Sequence, residues 1–293
     1  MHNNYKEEYQ RYYVIFNEYL NEVFSSLDTY APKTITDAMS YAVGNGGKRV
    51  RPVMCLATAE LLGVPFDKVK NFAVALECIH SYSLVHDDLP AMDNDDYRRG
   101  KLSTHKMFGE ANGILAGDAL LNFAFELCLS KDNFDLLDAK ALKVLAESAG
   151  YRGMIAGQVL DLENEKAEVV NKDVLYSIYE NKTAKLITAP LLIASELSGG
   201  KYRKQFEEFG YNLGVLFQII DDIMDVEGTL ESIGKTPHKD EEVGKLTSVK
   251  LFGLDGAKEL AKKHYLDCKQ ILSDIDGCEF LLQLTDAMYV RRK

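Results

Sequence analysis

Residues 72–96 read FAVALECIHSYSLVHDDLPAMDNDD, and the pattern of this stretch decides the fold. Its apolar residues recur at intervals of three or four, as at Phe72, Leu76 and Ile79, which is the spacing of one helical face. The same spacing fills most other long segments, whereas alternating strand-like runs are nearly absent. The sequence therefore predicts an all-α protein.

Proline and glycine mark the ends of further helices. Pro32 precedes one apolar run, and Pro52 lies in the first turn of the next. The glycines between Gly44 and Gly47 separate the two runs. No low-complexity tract, fixed-period repeat or Pro/Ser-rich linker divides the chain. We therefore expect one domain spanning residues 1–293.

The quoted stretch ends in a cluster of acidic residues. Asp87 follows Ser83 by four residues and His80 by seven, so the three side chains share one helical face. Asp88 comes directly after Asp87, and Asp93 follows Asp87 by six residues. Two unit charges about 4 Å apart repel by about 4 kcal/mol at an effective dielectric constant of about 20, so the cluster favours a bound cation. The alternative for an isolated acidic run is a solvated turn.

A second acidic cluster shifts the balance towards metal binding. Residues 217–225 read FQIIDDIMD, and Asp221 and Asp225 lie one helical turn apart with Asp222 between them. An acidic group among isoleucines is poorly placed for mere solubility. Mg²⁺ prefers a few carboxylates, water and phosphate oxygens to an all-protein cage. Two separated clusters therefore predict a magnesium-bound diphosphate between them.

Basic residues accompany both clusters. Residues 46–52 read GGKRVRP and place Lys48 and Arg51 on flexible backbone before a helix, where an anion can be held. Arg98 and Arg99 follow the first Asp cluster, and arginine suits bidentate contacts to phosphate. The alternative for these residues is a salt-bridged surface.

Three polar residues in apolar helical runs are further candidates. Lys182 and Thr183 enter one such run, and Gln218 lies three residues before the second cluster. Each would place a dipole or a charge beside a bound cation. Neither a H-E-x-x-H nor a G-x-S-x-G motif occurs, so a hydrolase is unsupported.

Composition excludes several classes of protein. The net charge of -11 argues against a protein that coats nucleic acid. The 5 cysteines are scattered singly, which fits a reducing compartment rather than a disulfide framework. No apolar stretch approaches the roughly 18 residues of a membrane span, and no signal peptide is evident. We therefore expect a cytoplasmic protein without a membrane span.

Taken together, these motifs make the sequence resemble the trans-prenyltransferases, specifically the short-chain isoprenyl diphosphate synthases of the bacterial farnesyl diphosphate synthase (geranyltranstransferase) type. The resemblance runs nearly end to end. It is carried by residues 46–52, 77–80, 87–93, 98–100, 117–118, 157–158 with Asp161, 182–183 and 217–225.

The resemblance implies a single-domain helical bundle with a central active-site cavity, usually a homodimer, in which about three Mg²⁺ ions bridge the Asp clusters and an allylic diphosphate. It implies the principal metal ligands Asp87, Asp93 and Asp221, supported by Asp88, Asp222 and Asp225. Isopentenyl diphosphate would be held by Lys48, Arg51, His80 and Arg99. The allylic diphosphate would be held by Arg98, Lys182, Thr183, Gln218 and Lys235.

The chemistry that the resemblance implies is ionisation, condensation and elimination. Thr183 and Gln218 would lie near the allylic cation. Lys235 and Lys245 resemble the family's flexible lid, and Arg291 or Arg292 its basic C-terminal end. The lid departs from the family pattern at His238, where a small residue is common, and at Ser248, which replaces an expected aromatic residue.

Product length depends on two residues before the first cluster. In this family the positions four and five before the first Asp, here Ser83 and Tyr82, form the floor of the chain pocket. The bulky Tyr82 resembles the fifteen-carbon type, although Ser83 rather than Tyr82 lies directly beneath Asp87 on the helix. Farnesyl diphosphate is therefore the expected product, with geranyl and geranylgeranyl diphosphate as alternatives.

Two other functions remain as rivals. A class I terpene synthase also ionises an isoprenoid diphosphate, but it would normally carry an Asn/Asp, Ser/Thr, Glu triad instead of Asp221, Asp222 and Asp225. A catalytically idle partner subunit would have no reason to keep both Asp clusters.

Overall fold

The computed structural model describes residues 2–27, 31–165, 171–227 and 244–291. Its helices are α1 (His2–Ser25), α2 (Lys33–Gly44), α3 (Val50–Leu61), α4 (Phe66–Asp87), α5 (Thr104–Phe108), α6 (Glu110–Leu129), α7 (Leu136–Ala149), α8 (Met154–Glu163), α9 (Lys172–Ile178), a π-helix (Tyr179–Ala184), α10 (Lys185–Leu197), α11 (Arg203–Glu227), α12 (Ser248–Leu272) and α13 (Glu279–Tyr289). The one sheet in these ranges is a hairpin of β1 (Tyr97–Arg98) and β2 (Lys101–Leu102). The all-α prediction is confirmed.

The helix ends follow the proline and glycine signals. α2 begins directly after Pro32 and ends at Gly44, and α3 carries Pro52 as its third residue. Between them Gly46 and Gly47 have φ of 78° and 116°, in the left-handed region that favours glycine. These two residues turn the chain just before Lys48 and Arg49, and Arg51 lies in the first turn of α3.

The core forms around two helices that are buried on nearly every side. α4 packs most extensively on α6 and also contacts α3 and α10, and its residues Phe72, Leu76 and Ile79 are fully buried. Each such side chain contributes about 1.5–3 kcal/mol through burial. α10 is buried along its whole length. The helical face predicted from the 72–96 stretch is therefore the centre of the protein.

A second apolar cluster holds the other half of the site. It joins α9, the π-helix, the C-terminal half of α11 and α12, with Leu175, Val215 and Ile219 fully buried in it. α11 continues from the first cluster, which contains Phe206 and Phe209, into the second. One continuous helix therefore connects the two clusters.

The helix predicted around Lys182 is present, but its first turn is a π-helix. Two glycines let neighbouring helices approach this turn closely. A Cβ on Gly157 in α8 would lie 2.0 Å from the Lys182 backbone nitrogen, and one on Gly214 in α11 would lie 2.4 Å from the Ala184 Cα atom. Such single π-turns are frequent at functional sites.

α6 has an unusual composition for a soluble helix. Among the described residues it is the one helix long and apolar enough to span a membrane, with a mean hydropathy of 1.2 over 18 residues. This differs from the expectation that no stretch of the chain would approach a membrane span. One face of α6 packs on α4, whereas Ile114, Leu115 and Leu129 on other faces are exposed.

Candidate active site

The first Asp cluster lies where α4 ends and the chain folds back on itself. Asp87 is the last residue of α4, and the backbone N–H of Asp93 donates to the Asp87 carbonyl oxygen at 2.8 Å. Asn94, with φ of 51°, closes the turn through a hydrogen bond to the Leu89 carbonyl oxygen. The fold therefore brings Asp93 back beside Asp87, as the metal-ligand prediction requires.

Asp87 lies in a strongly perturbed environment. Its pKa is raised to about 6, chiefly by burial, and the neighbouring carboxylate of Asp93 contributes in the same direction. Lys182 from the π-helix lowers the pKa of Asp87, which shows that this helix faces the first cluster. A carboxylate held partly out of water beside another carboxylate is suited to a cation.

Asp88 has different surroundings, although it is adjacent in sequence. Its side chain is buried and accepts hydrogen bonds from Arg98 Nε, at 2.9 Å, and from Arg98 Nη2. Burial raises the pKa of Asp88, and Arg98 lowers it. The structure thus pairs Asp88 with Arg98, two residues predicted to support the metal and to hold the allylic diphosphate.

The second cluster is divided in the same manner. The Asp221 side chain is 33% exposed, and its Oδ1 forms an ion pair with Arg291 Nη2 at 2.9 Å. Asp222 and Asp225 are buried. The pKa of Asp222 is raised to about 6, because the effect of burial outweighs the hydrogen bonds from Tyr179, Ser248 and Gln218, which lower it. Only Asp221 of the three therefore faces solvent to a substantial extent.

Lys182 and Thr183 meet the second cluster across a cavity. Lys182 Nζ lies 2.5 Å from Asp161 Oδ2, and the Thr183 hydroxyl donates to Gln218 Oε1 at 2.9 Å. The cavity has a volume of about 150 Å³, and its wall includes Asp161, Tyr179, Lys182, Thr183, Gln218, Asp221, Asp222 and Lys245. The structure brings together the three polar residues predicted from the apolar runs.

The basic residues form a second group beside the first cluster. His80 is surrounded by Arg51, Arg99, Arg98 and Arg49, and burial together with these charges lowers its pKa. Burial also lowers the pKa of Arg51 to about 10, and its Nε finds no hydrogen-bond partner within the described part of the chain. A buried guanidinium N–H without a partner is costly unless an anion binds there.

Glycine shapes this basic group. Arg99 Nη1 donates to the Gly46 carbonyl oxygen, and a Cβ on Gly47 would lie 2.5 Å from the same nitrogen. Lys48 lies between this group and the second cluster. Its pKa is lowered by burial and by the charge of Arg291, and the nearby carboxylate of Asp221 raises it. The four residues predicted for one diphosphate are thus near one another.

Several residues that organise the site have no role predicted from the sequence. Arg49 Nη1 and Glu77 Oε1 form an ion pair of 2.5 Å, and each side chain is 3% exposed. This buried pair lies beneath the basic group. Asp161 pairs with Lys182, and Tyr179 and Ser248 bind Asp222. Arg49, Glu77 and Asp161 lie in motifs that carry the resemblance, so the sequence marked these positions without giving them a role.

The two candidate chain-length residues differ in exposure. Tyr82 is 5% exposed, and its ring packs edge-on against His86 with centroids 5.8 Å apart. Ser83 is half-buried, and its hydroxyl donates to the His80 carbonyl oxygen at 2.9 Å. The lid candidates Lys235 and His238, and also Arg292, lie outside the described residues.

A cavity larger than the one beside Lys182 lies elsewhere in the described part of the chain. It has a volume of about 510 Å³ and lies on the opposite side of the π-helix, between α7, α10 and α11. Glu180, Lys185, Arg203 and Glu207 in its wall are paired with charged neighbours. None of the predicted site residues lines it.

The site residues fit magnesium by their chemistry. In the described ranges no three His, Cys, Asp or Glu side chains form a ready-made cage for a metal ion. Mg²⁺ is usually held by one or two carboxylates together with water and substrate phosphate oxygens. Carboxylates on facing elements with cations beside them match that pattern.

Comparison with known proteins agrees with this geometry. The family model described as polyprenyl synthetase matches residues 32–275. The chain is 42% identical over 248 residues to farnesyl diphosphate synthase of Micrococcus luteus, covering 83% of this chain and 85% of the relative. It is also 42% identical over 261 residues to geranylgeranyl pyrophosphate synthase 4 of Arabidopsis thaliana, covering 87% and 70%.

A solved structure extends the comparison to the fold. The crystal structure of a geranyltransferase from Helicobacter pylori, complexed with magnesium and isoprenyl diphosphate, superposes with a TM-score of 0.80 at 32% identity. The match covers 96% of this chain and 96% of that chain.

Proposed function

The chain belongs to the polyprenyl synthetase family and is a prenyltransferase, and we propose that it condenses isopentenyl diphosphate with dimethylallyl and geranyl diphosphate to form farnesyl diphosphate. The proposal rests on one observation: Asp87, Lys182 and Asp221 lie close together, beside the basic group around His80. Charges of both signs on facing helices suit a metal-bound diphosphate, while the separate basic group suits a second diphosphate. A two-substrate condensation needs both.

We assign the metal to Asp87, Asp93 and Asp221, with Asp88, Asp222 and Asp225 in support. Mg²⁺, in about three ions per site, would neutralise the charge that develops on the leaving diphosphate. The raised pKa of Asp87 supports this assignment, since a cation would relieve the cost of holding its charge. Removal of Mg²⁺ with EDTA should abolish turnover, and added Mg²⁺ should restore it.

The two diphosphates occupy different groups of cations in this proposal. Isopentenyl diphosphate is bound by Lys48, Arg51, His80 and Arg99. The allylic diphosphate is bound by Arg98, Lys182, Thr183, Gln218 and Lys235. The unpartnered Nε of Arg51 supports the first assignment, because it offers an N–H that a phosphate oxygen can accept.

The reaction begins when the allylic C–O bond breaks and its electron pair leaves with diphosphate. The double bond of isopentenyl diphosphate then attacks the allylic cation and forms the new C–C bond. Loss of a proton to the departed diphosphate restores a double bond. Lys182 stabilises the leaving diphosphate, Thr183 and Gln218 face the cation, and the apolar walls exclude water.

The subunit arrangement and location follow from surfaces and thiols. We propose a homodimer through α6, because this helix exposes Ile114 and Leu115 at 47% and 54% while its other face packs on the core.

We propose a cytoplasmic enzyme because all 5 cysteines are free and buried, and free thiols need no oxidising compartment.

The decisive experiment is product analysis with Mg²⁺, labelled isopentenyl diphosphate and, separately, five-, ten- and fifteen-carbon allylic diphosphates. Accumulation of a fifteen-carbon diphosphate supports the proposal. A ten- or twenty-carbon product keeps the reaction but replaces the farnesyl assignment. Release of hydrocarbon and free diphosphate without isopentenyl incorporation would make the chain a terpene synthase. An inactive purified chain would instead favour an idle partner subunit.

A further inference from the structure

A buried hydrogen-bond network lies directly behind Gln218. We propose that Tyr179 and Ser248 are positioning residues that, through Asp222, fix the orientation of the Gln218 amide and of the Thr183 hydroxyl. This inference rests on the proposed function, in which Gln218 and Thr183 face the allylic cation.

Asp222 is the centre of the network. Its side chain is buried, at 3% exposure for the residue, and its Oδ2 accepts from the Tyr179 hydroxyl, the Ser248 backbone N–H at 2.7 Å and the Ser248 hydroxyl at 2.8 Å. Tyr179 is also buried, in the first turn of the π-helix. A buried carboxylate needs several donors, and a loss of one leaves it under-satisfied.

The remaining oxygen of Asp222 determines how the Gln218 amide is turned. Asp222 Oδ1 lies 3.1 Å from Gln218 Nε2, and an ionised carboxylate only accepts hydrogen bonds. The nitrogen end of the amide must therefore face Asp222. Gln218 Oε1 is then left to accept from the Thr183 hydroxyl at 2.9 Å.

This orientation has an electrostatic consequence in the cavity. Because the Thr183 hydrogen is directed at Gln218, the Thr183 oxygen and the second lone pair of Gln218 Oε1 are left for the rest of the cavity, while one amide hydrogen of Gln218 is held by Asp222. Oxygen dipoles fixed in advance stabilise a developing carbocation, whereas a flipped amide would present N–H groups and oppose it.

Ser248 adds a connection to the segment that precedes α12. It is the first residue of α12, directly after Lys245, Leu246 and Thr247, which line the same cavity. Its two hydrogen bonds to Asp222 hold the start of this helix against α11. Tyr179 and Ser248 thus approach one carboxylate from two different helices.

The test compares Tyr179→Phe and Ser248→Ala with the controls Tyr176→Phe and Ser177→Ala. The control residues lie on α9, where the Tyr176 hydroxyl is 3.5 Å from His264 Nε2 and the Ser177 hydroxyl donates to the Asp173 carbonyl oxygen. We expect kcat to fall about 10- to 100-fold in Tyr179→Phe and in Ser248→Ala, with KM for both substrates within about two-fold of wild type. The controls should keep wild-type kinetics.

A double-mutant cycle with Gln218→Ala separates positioning from a general structural effect. If Tyr179 acts through Gln218, Tyr179→Phe should cause little further loss once Gln218 is alanine. Equal losses in both backgrounds, or unchanged kcat in Tyr179→Phe, would overturn the inference. A raised Mg²⁺ requirement in Tyr179→Phe with wild-type kcat at saturating Mg²⁺ would also overturn it, because Tyr179 would then act through the metal rather than through Gln218. A wild-type chain that makes no condensation product would refute the proposed function before any variant is compared.

Discussion

Adjacent aspartates in this chain do different things because burial differs from one to the next. Asp221 is a third exposed and meets Arg291, whereas Asp222 is buried against Tyr179 and Ser248. In the first cluster Asp87 faces Lys182, whereas Asp88 is held by Arg98. Successive residues on a helix point about 100° apart, so one side chain can reach a cavity while the next turns away from it.

Replacement of Asp87 tests the first cluster. Asp87→Asn should lower kcat at least about 100-fold, because a neutral amide cannot balance the metal charge. Its melting temperature in EDTA should equal or exceed that of wild type, since burial raises the pKa of Asp87 and so disfavours the charged form. Asp132→Asn, at an exposed position, is the control for activity. Full activity in Asp87→Asn would remove the cluster from the mechanism.

Replacement of Tyr82 tests the product-length assignment. Tyr82→Ala should shift the product from fifteen carbons to longer chains, because the buried ring would no longer limit the pocket. Tyr82→Phe should keep the fifteen-carbon product, since it retains the ring. Tyr151→Ala, at a residue that is 75% exposed, controls for the loss of a tyrosine. Unchanged products in Tyr82→Ala, measured by chromatography of the hydrolysed diphosphates, would refute the assignment.

His264 makes stability depend on pH away from the site. Burial and Lys263 lower its pKa from 6.5 to about 4, so the unfolded chain binds a proton that the folded chain does not. Stability should therefore be complete above pH 6.5 and fall as pH decreases towards 4, with a loss of about 2 kcal/mol by pH 5 from this residue. Urea unfolding of wild type and His264→Gln, in EDTA, should show a weaker pH dependence in the variant. Parallel curves would contradict this prediction.

At the scale of elements, the π-helix is the feature on which the site depends. It places Lys182 and Thr183 opposite α4 and α11, and its close neighbours are glycines in α8 and α11. Because the helices approach this closely, the π-helix has little room to shift, and the positions of these two side chains are restricted accordingly.

Enlarging one glycine tests this arrangement. In Gly157→Ala the new Cβ would meet the Lys182 backbone nitrogen at 2.0 Å, so the π-helix must shift. We expect the free energy of unfolding to fall by about 1–3 kcal/mol. We also expect kcat to fall more than it does for a substitution that lies far from the site and lowers stability by the same amount. Gly44→Ala, where nothing lies within 4 Å, should leave activity unchanged and stability within about 0.5 kcal/mol. Similar behaviour of the two variants, by thermal melting and steady-state kinetics, would argue against a fixed π-helix.

At the scale of the whole molecule, α6 combines a core face with an exposed apolar face. Its inner face packs on α4, where Gly117 touches His86. Its outer residues Ile114, Leu115 and Leu129 are exposed, and a single stable interface of standard size covers about 800 Å² on each partner. A second copy of the chain is the occupant that we propose for this face.

Charge on this face should prevent dimer formation. Ile114→Glu combined with Leu115→Glu should convert a dimer to a monomer, because burying unpaired carboxylates is unfavourable. Leu136→Glu, at a residue of α7 that is 71% exposed, should remain dimeric. Light scattering coupled to size-exclusion chromatography measures the mass directly. A monomeric wild type, or an unchanged mass in the double variant, would exclude α6 as the interface.

The sequence by itself determined the fold class and the family. Apolar spacing is a local property of the chain, so the order of residues in the 72–96 and 217–225 stretches is enough to predict their helices. The resemblance of the ordered motifs was enough to assign the family, which the family model confirms. Residue types also indicated a metal-bound diphosphate, because crowded carboxylates beside arginines are costly without one.

Tertiary structure alone decided which of those residues are buried and paired with other side chains and which face the cavity. Sequence spacing could not show that Asp88 binds Arg98, that Asp222 is enclosed by Tyr179 and Ser248, or that Lys182 lies in a π-helix. Each of these depends on how the turns and helices pack against one another, and on the burial that this packing creates. Burial and partners set the charge and direction of a side chain, so they are fixed only when the helices pack together.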